Sequence, residues 1–142
     1  MTENPPKDSS ISVSVIVEKP LEKVWEKWIS EEDVKNWNIP FDDWHCPLVK
    51  NNVETGGDFF FRMESKDGKE GFDYKGKYTR VVPFKIIENL QEDGRKTINE
   101  FQEIDENTII RETFEPENHT PVEKQKKFCE AVLKRFKTYV ES

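Results

Sequence analysis

From Ile11 to Val17 apolar and small polar residues alternate along a β-branched run, which predicts a strand with Val13, Val15 and Val17 on one face. The period changes behind Pro20. Leu21, Val24, Trp25, Trp28 and Ile29 recur at helical steps, and Ser30 followed by Glu31, Glu32 and Asp33 predicts the cap of a second short helix ending near Trp37. Residues 38–45 carry Pro40, Phe41 and Trp44, a loop apolar enough to pack over an opening or an edge. Strand signals then follow one another: 46–53, 58–63 with Phe59, Phe61 and Met63 on a face, and a run in which Phe72, Tyr74, Gly76 and Tyr78 alternate with charged or polar residues. Val82-Pro83 breaks that run. Three more strands are predicted at 84–90, 95–104 and 108–114, separated by turn-forming residues. The chain closes on one long amphipathic stretch, 120–140, where Thr120, Pro121 and Glu123 predict a capping box. Its apolar stripe includes Cys129, Val132, Leu133, Phe136 and Val140.

Strand, two helices, six strands and a helix describe an α+β fold in which an antiparallel sheet of about seven strands curls around the final helix. Residues 1–10 are polar with two prolines and predict a loose tail; residues 11–142 form one domain, with room for a single core.

Short hairpins in the last three strands would place Glu88 opposite Asn99 and Asn99 opposite Glu112, with Ile86, Phe101 and Ile110 in the next row. Lys85, Asn89, Glu100, Gln102 and Arg111 would take the other, solvent-facing side. Two carboxylates under a helix are costly unless hydrogen-bonded, hydrated or protonated, so this register implies a cavity with a polar floor. A one-residue bulge would instead send these side chains outward.

The net charge of −7 argues against sequence-independent binding to nucleic acid or to anionic lipid. No apolar run approaches the roughly 20 residues that span a bilayer, and the start of the chain lacks the pattern of a signal peptide, so membrane insertion is not expected and a cytoplasmic location is. Two cysteines, Cys46 and Cys129, show no metal-ligand spacing and are expected to be reduced. Two histidines, His45 and His119, lie in no catalytic or zinc motif. Neither a catalytic constellation, a metal site nor a cofactor is expected.

Several stretches resemble the START-like (SRPBCC) superfamily: 20–26 with Trp25, then Trp37, Gly56-Gly57-Asp58-Phe59, the run 76–83 and the terminal helix. The branch they resemble is the one related to the activator of heat shock protein 90 ATPase. The resemblance covers the chain from about Ile11 onward and implies a helix-grip fold with a hydrophobic cavity between sheet and helix. Where members of the family often carry two adjacent tryptophans this sequence has Trp37-Asn38, and Phe128 or a neighbour stands where they often carry a tryptophan.

Combined with the inferred register, the resemblance implies a cavity lined by Trp37, Phe59, Phe61, Tyr74, Phe101, Ile110 and Phe128, with Glu88, Asn99 and Glu112 as its polar floor. The expected role is a non-catalytic domain that holds a small hydrophobic or amphipathic molecule. Two alternatives stand beside it. One is a chaperone-associated interaction domain, as the resemblance implies with its link to stress response. In eukaryotic relatives such a domain accompanies a separate chaperone-binding domain, for which this length leaves no room. The other is a cavity enzyme of the cyclase type, found among START-like relatives, using Glu88 or Glu112 for acid–base chemistry.

Overall fold

A computed structural model describes residues 10–142. The expected tail, apart from Ser10, lies outside the described residues. One antiparallel sheet of seven strands has the spatial order β1-β7-β6-β5-β4-β3-β2. Its strands are β1 (Ile11–Val17), β2 (Trp44–Asn51), β3 (Asp58–Ser65), β4 (Gly71–Val82), β5 (Ile86–Gln91), β6 (Lys96–Ile104) and β7 (Asn107–Phe114). Every neighbouring pair except β1–β7 is consecutive in the chain, so simple hairpins build most of the sheet. Helices α1 (Leu21–Ile29) and α2 (Glu31–Trp37) carry the chain from one edge strand to the other, and α3 (Val122–Glu141) lies against β1 and α2. This is the α+β sheet curled around a final helix that the pattern of strands and helices predicts, and the helix-grip arrangement that the resemblance implies.

The local signals explain the helices. Pro20 precedes α1, where its missing N–H is not needed, and its carbonyl accepts from the amides of Lys23 and Val24. Ser30 caps α2 through a bond from the Asp33 amide to its hydroxyl, at 3.4 Å. The buried stripe of α3 is Cys129, Leu133, Phe136 and Val140; Val132 is only half-buried. Phe136 is fully enclosed, with its ring 5.0 Å from that of Trp28 and 4.7 Å from that of Trp37.

The capping box at Thr120 does not form. Pro121 is the N-cap, and no side chain caps this end. The preceding loop is held instead by Gln125, whose amide nitrogen donates to the Thr120 carbonyl (2.7 Å) and to the Glu117 carbonyl (3.0 Å). The Glu117 carboxylate meanwhile accepts from the amides of His119 and Thr120. Phe84 is a second departure, since it belongs to the β4–β5 turn, with φ of 66°, rather than to a strand. Its ring lies 5.4 Å from that of Trp25.

The two hairpins at the end of the sheet decide which side chains lie under α3. Between β6 and β7, Asp105 and Glu106 both have positive φ and form a two-residue turn, so Asn99 stands opposite Glu112 and Phe101 opposite Ile110, as the sequence predicts. The β5–β6 hairpin differs. The Gly94 amide bonds to the Gln91 carbonyl, the Gln91 amide to the Arg95 carbonyl, and Gly94 takes φ of 92°. That is a turn followed by a left-handed bulge, a three-residue loop that shifts the pairing by one position. Glu88 therefore stands opposite Ile98, and it is Ile87 that stands opposite Asn99. Because side chains alternate between the faces, Glu88 leaves the concave side and Asn89 takes its place there.

Candidate functional site

The concave face between β4 and β7 brings polar side chains together beneath the first half of α3. Asn99 donates its Nδ2 to Glu112 Oε1 at 2.7 Å, and the Cys129 thiol donates from α3 to Glu112 Oε2 at 2.8 Å. On the neighbouring strands, Asn89 Nδ2 donates to the Tyr74 hydroxyl at 3.2 Å, and Tyr74 also hydrogen-bonds with Thr97. Asn89, Thr97 and Asn99 are buried. Glu112 and Tyr74 lie deep among protein atoms, yet each keeps part of its surface accessible. Asn89 Oδ1 is buried and has no hydrogen-bond partner.

Desolvation dominates the electrostatics. Burial raises the pKa of Glu112 above the usual carboxylate range, against the bonds from Cys129 and Asn99, which favour the charged form. Burial, reinforced by the neighbouring Glu112, pushes Tyr74 up to about 12. The same two causes push the Cys129 thiol far above its ordinary value. Cys129 is thus held as a thiol, and Glu112 favours its neutral form more than an exposed carboxyl does. Among the described residues no three of His, Cys, Asp and Glu converge as a metal ion would need.

The residues expected to line a cavity fall into separate groups. Phe59, Phe61 and Tyr74 pack together, with ring centroids 5.1–5.8 Å apart, beside the polar cluster. Phe128 sits at the other end of α3 from Phe136, 6.3 Å from Trp44 and 6.0 Å from Phe72, in a partly exposed aromatic trio. Trp37 and Phe101 belong elsewhere. Trp37 is buried between α1 and α3, with its ring 4.7 Å from Trp28 and its Nε1 donating to the Lys27 carbonyl at 3.0 Å. Phe101 stacks edge-on against Trp25 and Trp28 in the same aromatic core, and Ile110 beside it is fully buried.

Glu88 is the residue that moves. Its carboxylate faces the convex side, where it accepts from the Thr79 hydroxyl at 2.7 Å. It borders an open depression of about 230 Å³ with Arg80, Ile86, Ile98, Glu100 and Thr113. Asn89, Thr97 and Cys129 are the members of the polar cluster that sequence reasoning missed. Asp93-Gly94 was the available signal, because a glycine at that place favours the bulged three-residue loop that brings Asn89 inward.

The sequence profile of the family described as Activator of Hsp90 ATPase homolog 1-like protein matches residues 18–141. Among solved structures, the chain is similar to an AHSA1-like protein from Aeromonas hydrophila, at 31% identity over 92% of each chain with a TM-score of 0.83. It is similar also to a protein from Cytophaga hutchinsonii, at 36% identity over 94% of this chain and 92% of that one, with a TM-score of 0.82. A protein from Chromobacterium violaceum shares the fold at 16% identity, with a TM-score of 0.84 over 94% of this chain and 98% of that one. No match was found among curated proteins.

Proposed function

The chain belongs to the Activator of Hsp90 ATPase homolog 1-like family, and from that premise we propose that it is a non-catalytic carrier or sensor holding a small hydrophobic or amphipathic molecule between α3 and the concave sheet face. The observation that carries this reading is the group Asn99–Glu112–Cys129, polar side chains joined to one another where a purely structural core would be apolar. Beside it stand the aromatic rings of Phe59, Phe61 and Tyr74. Apolar walls with a few convergent polar groups suit small-molecule binding, since burial supplies affinity and the polar groups fix orientation. Phe128, Trp44 and Phe72, partly exposed at one end, are the proposed entrance. A screen of amide chemical shifts against lipids and aromatic compounds tests the reading: shifts confined to β4–β7 and the first half of α3 support it, and a screen that moves no signal there refutes it.

One observation favours acid–base chemistry as a second reading. Glu112 is a carboxyl raised by burial, the property required of a general acid near neutrality. Turnover of a bound compound that is lost in Glu112→Gln would support it. The family's description suggests a third reading, contact with a chaperone ATPase. Stimulation of such an ATPase by the purified chain is its test.

A further inference from the structure

The following deepens the carrier reading and rests on it. The charge on the sheet is sorted by face. Arg62 pairs with Glu64 and Asp73, Lys77 with Asp58, and Arg80 and Arg111 stand opposite Glu88 and Glu100, all on the convex side. Among the described residues no Lys, Arg or His points from the sheet to the concave side. Beneath α3 that side carries Tyr74, Asn89, Thr97, Asn99 and Glu112, all of them uncharged groups except the carboxyl. Asn89 spends its Nδ2 on Tyr74, which leaves Oδ1 as a buried acceptor without a donor. Such a group is costly, and a donor brought by a ligand would relieve it. Glu112 is the nearby carboxyl, its two oxygens taken by Asn99 and Cys129.

We propose that the site selects apolar molecules whose polar end donates a hydrogen bond and carries no negative charge, with Asn89 Oδ1 as the acceptor that reads the donor and the lack of a cation on the concave sheet face as what disfavours anions. An alcohol satisfies Asn89. A carboxylate or phosphate finds no cation on the sheet face and loses its hydration. Neighbouring side chains screen Asn89 Oδ1 from solvent, so the donor reaches it by rotation of the Asn89 amide, a motion about a single side-chain bond.

The test uses three probes with the same eight-carbon chain on the intact protein: 1-octanol, octyl methyl ether, which accepts but cannot donate, and octanoate. Titrations followed by amide shifts should give 1-octanol an affinity at least about tenfold above octanoate, with the ether weaker than the alcohol. Octanoate binding as tightly as 1-octanol, or the ether matching the alcohol, overturns the head-group assignment while leaving the cavity reading intact. Failure of all three to bind overturns both. Asn89→Leu should bring 1-octanol down to the level of the ether and leave octanoate unchanged; an undiminished preference for the alcohol removes Asn89 from the role. Should that variant not fold, the three-probe comparison on the native protein decides the matter.

Discussion

The thiol of Cys129 on α3 donates a hydrogen bond to Glu112 Oε2 on β7 at 2.8 Å, fastening the helix to the sheet through a polar contact. Its second oxygen is taken by Asn99, so the buried carboxyl is tied to two elements at once. Several measurable properties depend on that arrangement.

Stability should fall as pH rises through the window that begins at the ordinary carboxylate range and ends at the raised pKa of Glu112. Below that window Glu112 is protonated in both states and its contribution is fully present. Within it the unfolded chain releases the proton first while the folded chain keeps it, so each step upward favours unfolding. Carboxyls with lowered values, such as the exposed Asp42 and the partly exposed Glu64, act with the opposite sign below the ordinary range. Urea denaturation from pH 4 to 8 on the native protein and Glu112→Gln isolates the contribution of this carboxyl. The variant should lack the decline, and parallel curves would refute the assignment.

Both cysteines should be slow to react in the folded state. Burial pushes Cys46 up to about 11 and raises Cys129 further, so little thiolate exists at pH 8. Timed reaction with a disulfide reagent should show two thiols protected in the native protein and rapid on addition of denaturant. A fast native phase assigned to either residue would contradict the environments described.

Phe136→Ala should cost about 3–5 kcal/mol, the usual result of truncating a fully buried aromatic. Phe136 is fully enclosed and touches both Trp28 and Trp37, so the loss should also alter tryptophan fluorescence. An unchanged denaturation midpoint would show that α3 is not seated as described.

Gly76→Ala should destabilise by about 1–3 kcal/mol through overpacking. A Cβ at that place would lie 2.2 Å from the Leu90 carbonyl oxygen, a backbone atom held in the β4–β5 ladder. Gly56 offers a control of another kind, since its Cβ would meet nothing within 4 Å and its cost would come from φ of 89° alone. Melting curves of the two single variants separate close approach from backbone conformation, and a neutral Gly76→Ala would disprove the tight contact.

Most of the architecture was legible in the chain because its elements rest on local physics. The alternation from Ile11 to Val17, Pro20 before α1, Ser30 as the cap of α2 and the long stripe of α3 each depend on residues a few positions apart. The pairing of Asn99 with Glu112 was legible for the same reason, since Asp105-Glu106 leaves a turn only two residues long. Those neighbours determined the fold and the pairing of Asn99 with Glu112. Which face Glu88 takes depended on the loop after Gln91. A strand repeats every two residues, so lengthening or shortening a turn by one residue exchanges the faces of everything beyond it. The residues from Gln91 to Arg95 fit two loop lengths, and only the assembled sheet, with the left-handed bulge at Gly94, selected the one that turns Glu88 outward and brings Asn89 beneath the helix.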